Sequence, residues 1–290
     1  MARIAYVNGR YQPIHRPAVP VEDRGYQFAD GVYEVMKVVG GEPRDLDRHM
    51  RRLRRSLDGL GIRMPMSPPA LEAVIRETLR RNRLKEAVVY LQVSRGAAPR
   101  NHLYAATLKP SLVVTVRRAG LPSAKEWAEG VAVVSLPDER WARRDIKSIS
   151  LLPNSLARQK AKDRGAREAF LVDGDGCVTE ASASNAWIVD RNGTLVTHPL
   201  GHGILGGITR ERVLEEARAA GIPVEERRFT LDEAKAAREA FLTSTSSFVL
   251  PVVRIDDAPI GNGHPGETTR RLQGLYAEAA GLHPRFHQGT

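Results

Sequence analysis

The sequence predicts an α+β protein built from two domains, and three observations lead to this prediction. Short apolar, β-branched runs alternate with helical patterns along most of the 290-residue chain. Residues 119–124 fit neither pattern and contain the glycine, proline and serine that are typical of a linker. The segments on either side, 1–118 and 125–290, are each long enough to bury a core. We therefore expect a small N-terminal domain, an interdomain linker and a larger C-terminal domain.

The elements of the N-terminal domain follow from the spacing of its apolar residues. Leucine and methionine recur at helical intervals between 45 and 60, and His49 and Arg52 fall together on one flank of that apolar stripe. Residues 22–31 contain too many glycines and charges for a regular element. The predicted elements are strands at 3–8, 10–12, 32–39, 87–95 and 111–117, and helices at 45–60 and 68–83.

In the C-terminal domain, strand and helix patterns alternate as far as residue 280. The predicted strands are 131–136, 168–172, 177–180, 185–190, 194–197, 223–228, 240–243 and 249–255, and the predicted helices are 153–164, 208–220, 231–238 and 266–280. The last ten residues, 281–290, match no element and are expected to form a flexible tail.

Lysine is rare in this chain, and two lysines lie within apolar, strand-like runs. Of 44 basic residues only eight are lysines, and Lys37 and Lys147 are the two with apolar, β-type surroundings. Loss of hydration lowers the pKa of a lysine and makes its amine nucleophilic, as a Schiff base requires. A simpler interpretation pairs Lys147 with Asp145, two residues away on the same face of a strand. The segment by itself leaves both interpretations open.

Composition restricts the classes of function. The chain is 42% apolar and 27% charged, which is ordinary for a globular protein. No apolar run approaches the ~18 residues of a membrane span, the N-terminus lacks a signal-peptide pattern, and a single cysteine excludes an internal disulfide and a cysteine zinc site. A cytoplasmic protein without a metal or a membrane partner is expected. The net charge of +10 is compatible with nucleic acid as a binding partner. The dense arginine cluster at 48–55 has no interleaved aromatic residues, however, so anionic small molecules are the better candidates for the partner.

Four further segments have the residue types of an anion-binding site. They are the helix start Gly206-Gly207-Ile208-Thr209-Arg210, the hydroxyl run Thr243-Ser244-Thr245-Ser246-Ser247, Glu180 at a strand end, and the loop from Arg95 to His102. Helix N-termini and hydroxyls bind phosphate, and an arginine beside a histidine can clamp a carboxylate. Alone, each segment is also explained by an ordinary helix cap, a polar loop or a surface charge. Together with Lys147 they match what pyridoxal phosphate needs to act on an amino acid.

The order and composition of these segments resemble the fold-type IV pyridoxal-phosphate enzymes, and within them the D-amino-acid (D-alanine) aminotransferases most closely. The matching motifs are Glu22–Tyr26, Asp30–Val35, His49-x-x-Arg52-Leu53, Arg95-Gly96-x-x-Pro99-Arg100-x-His102, Asp145–Ser148, Val178-Thr179-Glu180-x-Ser182-x-Ser184-Asn185, Thr197–Pro199, Gly207–Arg210 and Thr243–Thr245. Ser150 and Phe248 depart from the pattern, since asparagine and glutamate are more usual there. The resemblance implies a small α/β domain and a larger pseudo-barrel domain that contains the Schiff-base lysine and the phosphate cup.

The resemblance also implies a role for individual residues. Lys147 would form the Schiff base with pyridoxal 5'-phosphate and shuttle the α-proton, and Glu180 would pair with the pyridine nitrogen. The residues expected to hold the cofactor are Arg52, Lys147, Glu180, Leu205, Gly207, Ile208, Thr209, Ser244 and Thr245, with His49 behind them. The residues expected to bind the substrate carboxylate are Tyr33, Arg100 and His102, of which the last two would reach across from the other subunit of a homodimer. Lys37 shares a strand face with Tyr33 and is the internal rival of Lys147.

The expected activity is transfer of the amino group of D-amino acids, of the D-alanine and D-glutamate type, to 2-oxo acids such as 2-oxoglutarate. The resemblance implies a ping-pong mechanism for it. Two enzymes of the same fold remain alternatives: a branched-chain L-amino-acid aminotransferase and a 4-amino-4-deoxychorismate lyase. A nucleic-acid-binding protein with an inactive enzyme fold is an alternative of a different class.

Overall fold

The computed structural model describes residues 3–16, 18–120 and 123–282. The chain forms two compact units. The first comprises Met1–Gly120 together with Ile146–Leu151, and the second comprises Leu121–Asp145 together with Leu152–Thr290. Both units contain helices and strands, which confirms the α+β class. The expected tail lies, apart from residues 281 and 282, outside the described residues.

The first unit contains an antiparallel sheet with helices between its strands in sequence. Its elements are β1 (Ile4–Val7), β2 (Arg10–Pro13), α1 (Arg24–Phe28), β3 (Gly31–Val39), β4 (Glu42–Pro43), α2 (Leu46–Leu60), α3 (Pro68–Asn82), β5 (Ala87–Ser94) and β6 (Ser111–Arg118). In the described part of the unit the strand order is β2-β1-β6-β5-β3-β4, and neighbouring strands run antiparallel.

The two faces of β3 have different environments because successive side chains of a strand point to opposite sides. Met36 lies on the buried face, in one hydrophobic cluster with Leu53 and Leu57 of α2, and all three are fully buried. Burial of a leucine side chain contributes about 1.5–3 kcal/mol. Tyr33 and Val35 lie on the opposite face and are half-buried. The apolar stripe predicted for residues 45–60 is therefore the face of α2 that packs on the sheet.

A short helix occupies a segment for which the sequence predicted no regular element. Asp23 caps α1 by accepting a hydrogen bond from the N–H of Gly25 at 2.8 Å, and Ala29 ends the helix with a φ of 54°. Five residues are too few to show an apolar periodicity. The prediction for residues 22–31 was wrong because a cap, rather than an apolar stripe, defines this helix.

The second unit is organised around a mixed sheet. Its elements are α4 (Ala124–Glu129), β7 (Val131–Pro137), α5 (Leu152–Asp163), β8 (Glu168–Val172), β9 (Val178–Ala181), β10 (Asn185–Val189), β11 (Leu195–Thr197), α6 (Ile208–Ala219), β12 (Val224–Glu226), α7 (Leu231–Lys235), β13 (Glu239–Ser244), β14 (Phe248–Ile255), β15 (Ala258–Pro259) and α8 (Glu267–Ala279). The described strands follow the order β12-β11-β10-β13-β14-β7-β8-β9, with β15 beside β14. Parallel pairing joins β14 to β7, β7 to β8 and β11 to β12.

The segment around Lys147 is not the strand that its apolar neighbours suggested. Ser148 forms an isolated bridge with Val32 of β3, and the N–H of Tyr33 donates to the carbonyl of Lys147 at 3.0 Å. Ile146 is buried in the core of the first unit. These contacts explain why residues 146–151 group with the first unit, whereas the expected domain division placed the lysine in the second. The 1–118 and 125–290 division itself stays a prediction.

The linker expected at 119–124 is regular at its end, because α4 starts at Ala124 with Ser123 as its N-cap. The side chain of Ser123 accepts a hydrogen bond from the N–H of Glu126 at 3.4 Å. Across the described residues, every helix is too short or too polar to cross a membrane.

Candidate active site

Lys147 lies against the half-buried face of the first unit's sheet. Its Nζ is 4.2 Å from the centre of the Tyr33 ring, and its backbone N–H donates to Ser56 Oγ at 3.2 Å. The Tyr33 ring stacks on Tyr90 with a centroid separation of 5.7 Å. A cation over an aromatic face is attracted by the ring electrons, so Tyr33 favours one position of the Lys147 amine.

Asp145 and Lys37, on which the two competing interpretations of Lys147 depend, both have other partners. Asp145 forms a two-bond ion pair with Arg143, with N–O distances of 2.9 Å. Lys37 is 3% exposed, and its Nζ donates to the carbonyls of Ala119 and Gly120 at 2.8 and 2.7 Å. Burial lowers the pKa of Lys37. Lys37 therefore holds the chain at the end of the first unit, and its amine is occupied by carbonyl groups.

Arg52 and His49 meet on a buried carboxylate that sequence analysis did not single out. Arg52 donates from Nε and Nη2 to the two oxygens of Glu34 at 2.8 and 2.7 Å, and His49 Nδ1 is 2.7 Å from Glu34 Oε2. Burial by itself raises the pKa of Glu34, but the charge and hydrogen bonds of Arg52 outweigh burial and hold that pKa well below its usual range. His49 and Arg52 lie on one flank of α2, as predicted, and that flank faces Glu34.

Arg100 and His102 are exposed on the loop between β5 and β6 and are gathered around one aromatic ring. The guanidinium carbon of Arg100 lies 5.2 Å from the centre of the Phe28 ring, and the His102 ring lies 5.5 Å from it. Among the described residues neither side chain pairs with a carboxylate. The loop thus presents two nitrogen-bearing side chains that are available to an anion.

Glu180 is the centre of the corresponding arrangement in the second unit. It is 4% exposed, and its Oε1 accepts from the Asn185 side chain at 2.8 Å and from the N–H of Leu205 at 2.9 Å. Arg140 donates to its other oxygen. Burial raises the pKa of Glu180, and the charge of Arg140 offsets only part of that effect. A carboxyl of this kind is suited to share a proton with a buried basic nitrogen.

Arg140 is itself held in place by a second carboxylate. It donates from Nε and Nη2 to the two oxygens of Asp138 at 2.9 and 2.8 Å, while Thr179 donates to the same carboxylate at 2.6 Å. These bonds hold the pKa of Asp138 below its usual range against the opposing effect of burial. Asp138 therefore stays ionised and fixes the orientation of Arg140 toward Glu180.

The start of α6 has the features of a phosphate site. Gly207 is the N-cap, and no side chain caps the helix, so its first N–H groups are not covered by a capping side chain. A Cβ at Gly207 would lie only 2.0 Å from Asn185 Oδ1, so this position has room for glycine alone. Ile208 and Thr209 are buried in the first turn, and α6 packs against β13, which ends at Ser244. Together with the buried Glu180 in the same unit, this helix start fits a phosphorylated pyridine.

The structure thus divides the predicted site residues into groups. One group is Lys147 with Tyr33, a second is Arg100 with His102, and a third is Glu180 with Leu205. Ser244 and Thr245 are half-buried at the end of β13. Three further residues of these groups were given no role from the sequence: Glu34 and Asn185 lie within the matched motifs, and Arg140 lies outside them.

Comparison with known proteins identifies the family of the chain. The model of a family described as class IV amino-transferases matches residues 31–255. A D-alanine aminotransferase from Bacillus licheniformis is 42% identical over 266 residues, which are 92% of this chain and 93% of that protein.

Solved structures show the same fold at lower identity. A branched-chain aminotransferase from the thermophilic archaeon Thermoproteus uzoniensis, solved with norvaline, superimposes with a TM-score of 0.86 at 28% identity, over 99% of this chain and 97% of that one. A 4-amino-4-deoxychorismate lyase from Pseudomonas aeruginosa gives a TM-score of 0.83 at 28% identity, over 94% and 98% of the two chains. The chain belongs to the class IV aminotransferase family.

Proposed function

We propose that this chain is a pyridoxal-phosphate-dependent D-amino-acid aminotransferase. It takes the amino group of a D-amino acid such as D-alanine and passes it to a 2-oxo acid such as 2-oxoglutarate in two half-reactions. The observation that carries the proposal is the pair Arg100 and His102, exposed together around Phe28 in a chain 42% identical to a D-alanine aminotransferase. A guanidinium with a neighbouring imidazole suits the free α-carboxylate that every amino-acid and 2-oxo-acid substrate has.

Particular side chains would act in each half-reaction. When bound, pyridoxal phosphate supplies an aldehyde carbon for amine attachment and a ring that takes up electron density as the substrate Cα loses its proton. The Nζ of Lys147 would hold the cofactor covalently and then carry the Cα proton. Glu180, as a carboxylate, would favour a proton at the ring nitrogen, and the charge of Arg140 favours that ionised form against the effect of burial, which raises the pKa of Glu180. The start of α6 at Gly207, Ile208 and Thr209, with Ser244 and Thr245, would bind the phosphate.

Arg52 differs from the other proposed phosphate-binding residues because its side chain already has a partner. Its Nε and Nη2 already pair with Glu34, so a phosphate contact by Arg52 would have to be made with that ion pair intact. Tyr33 would complete the carboxylate site and Leu205 would pack on the ring. Both assignments rest on the family resemblance. We further propose a homodimer in which Arg100 and His102 serve the neighbouring active site.

The decisive experiment measures acceptor-dependent product formation. Purified protein reconstituted with pyridoxal phosphate should form pyruvate from D-alanine over many turnovers only when 2-oxoglutarate is present, and D-alanine alone should release no more than one pyruvate per bound cofactor. Reaction with L-leucine but not D-alanine would instead identify a branched-chain L-amino-acid aminotransferase. Pyruvate release from 4-amino-4-deoxychorismate without an acceptor would identify a lyase, and failure to take up the cofactor would favour the nucleic-acid-binding alternative.

A further inference from the structure

The loop that carries Arg100 and His102 is almost devoid of regular structure. Between Gly96 and Leu108 the chain forms no helix or strand, apart from a single bridge between Ala97 and Asp23. Most of its side chains are exposed. A loop of this length with few backbone bonds has many accessible conformations, and fixing each residue costs about 1–2 kcal/mol. Contacts from outside the loop must therefore define where Arg100 and His102 lie.

Two anchors hold the ends of this loop. At the start, the N–H of Arg24 donates to the carbonyl of Gly96 at 2.9 Å, and the N–H of Ala98 donates to the carbonyl of Glu22 at 3.1 Å. At the far end, Arg63 Nη2 donates to the carbonyls of Thr107 and Leu108 at 3.1 and 3.0 Å. The middle of the loop, where Arg100 and His102 lie, needs an anchor of its own.

That anchor is the side chain of Arg24. It is 4% exposed, and its Nη1 and Nη2 donate to the carbonyls of Asn101 and His102 at 2.5 and 3.3 Å. Its Nε donates to Asp30 at 2.9 Å, so the guanidinium is oriented by a carboxylate while it binds the loop. Arg95 binds the same Asp30 through two bonds of 2.7 and 3.0 Å. Asp30 thus keeps a cationic partner if Arg24 is changed.

Phe28 completes the clamp from the same helix. Arg24 and Phe28 are four residues apart on α1 and so lie on one side of it. The guanidinium carbon of Arg24 is 4.6 Å from the centre of the Phe28 ring, which also contacts Arg100 and His102. One aromatic ring therefore contacts the backbone anchor and both predicted carboxylate-binding side chains.

We propose that Arg24 and Phe28 are positioning residues for substrate recognition: they fix Arg100 and His102 so that both meet the substrate α-carboxylate. The inference rests on the proposed function, because it takes the carboxylate as the ligand of this pair. Neither residue touches the reacting atoms. Their effect belongs to substrate binding, so their loss should raise KM and leave kcat nearly unchanged.

The test compares Arg24→Lys and Phe28→Leu with the wild type. Lysine retains the charge beside Asp30 but lacks the planar fork that reaches Asp30 and two carbonyls together. In both variants the KM for D-alanine and for 2-oxoglutarate should rise about 10-fold or more, while kcat changes by less than about threefold, as expected when uniform binding is lost. The matched control is Arg63→Lys, which alters an arginine–carbonyl anchor of the same loop away from the pair and should leave KM within about twofold.

A double-mutant cycle separates positioning from general destabilisation. If Arg24 acts through Arg100 and His102, the Arg24→Lys change should have little further effect on KM when Arg100→Met and His102→Ala together form the other arm of the cycle. Additive effects would overturn the proposal, as would an unchanged KM in folded Arg24→Lys and Phe28→Leu proteins.

Trypsin cleavage after Arg100, followed by mass spectrometry, should accelerate in Arg24→Lys and not in Arg63→Lys. A wild type that is inactive toward D-amino acids would overturn the proposed function instead. An active wild type whose Arg24→Lys and Phe28→Leu variants keep the wild-type KM would overturn positioning alone.

Discussion

At Glu34, burial and the neighbouring charges have opposite effects on the pKa of the carboxyl group. It is fully buried, and it remains ionised because Arg52 and His49 surround it with three short contacts. Removing one partner of a buried ion pair leaves the other charge desolvated, which typically costs about 3–5 kcal/mol. The ion pair joins β3 to α2, so its loss affects both the stability of the first unit and the position of Arg52.

Glu34→Gln should therefore lower the free energy of unfolding by about 3–5 kcal/mol at neutral pH. Urea denaturation followed by circular dichroism measures this. Glu77→Gln is the control, because Glu77 pairs with Arg80 and Arg81 on an exposed helix face, where solvent screens the charges and ion pairs contribute little. Equal losses in the two variants would contradict a special role for the buried pair.

The pH dependence of the same pair has a definite sign. The pKa of Glu34 is lower in the folded than in the unfolded chain. Its stabilisation is then fully present above the unfolded value of about 4.3 and is lost as the pH falls further. The stability difference between the wild type and Glu34→Gln should consequently narrow as the pH falls from about 5 into the acid range. A difference that grows on acidification would refute this account.

Lys37 and Lys147 differ in what their amines contact, so substitution of each lysine should have a different effect. Lys37→Met leaves the carbonyls of Ala119 and Gly120 without their donor, which should cost about 1–3 kcal/mol of stability. It should nevertheless retain the covalently bound cofactor, whereas Lys147→Ala should lose it. Borohydride reduction followed by peptide mass spectrometry reads this directly. A cofactor found on Lys37 in the wild type would reverse the assignment.

At the scale of elements, the start of α6 and the end of β9 are coupled through Asn185. The Asn185 amide donates to Glu180 and to the carbonyl of Leu205, at 2.8 and 2.9 Å, and its oxygen lies against Gly207. The predicted phosphate site and the predicted partner of the ring nitrogen therefore share one amide. A change at the helix start should be felt at Glu180.

Gly207→Ala tests this coupling without straining the backbone, since the φ of Gly207 is −70°. The new methyl group must displace Asn185, and we expect a roughly 10- to 100-fold loss of kcat/KM with weaker binding of pyridoxal phosphate. Gly201→Ala is the control, because a Cβ there meets nothing within 4 Å. Cofactor titration and steady-state kinetics provide the comparison, and equal behaviour of the two variants would disprove the coupling.

At the scale of the whole molecule, the proposed homodimer makes a prediction about mixed subunits. If Arg100 serves the neighbouring site, a Lys147→Ala subunit paired with an Arg100→Met subunit contains one intact site and one doubly altered site. A randomly assembled mixture should then have about one quarter of the wild-type activity, and the isolated heterodimer about one half. Co-expression with two affinity tags, and assays at D-alanine concentrations well below KM, measure the recovery. Activity no higher than that of the parent variants would place both residues in the same subunit's site.

Much of this protein could be predicted from its sequence because the informative signals are local. The apolar stripe of α2 gave the packing face that the structure shows, since side-chain period and burial are linked in a helix. Lys147 stood out as one of few lysines, and the order of motifs identified the family. These features need no knowledge of which distant segments meet.

Other features depended on tertiary contacts. The strand expected around Lys147 is absent because the hydrogen bonds of that segment go to β3, and α1 exists through the cap that Asp23 provides. Arg140 lies 40 residues from Glu180 in the chain, and Arg24 lies 77 residues from Asn101. No local pattern links such pairs.

The sequence alone therefore determined the fold class and the family, and it predicted the residue types of the site. The tertiary structure decided which charges neutralise one another: Glu34 with Arg52, Asp138 and Glu180 with Arg140, and Arg24 with Asp30 and the carbonyls of the β5–β6 loop. The physical reason is that periodicity encodes burial, which is a property of each element, whereas an ion pair requires two side chains to meet within about 3 Å. That proximity arises only when the whole chain has folded.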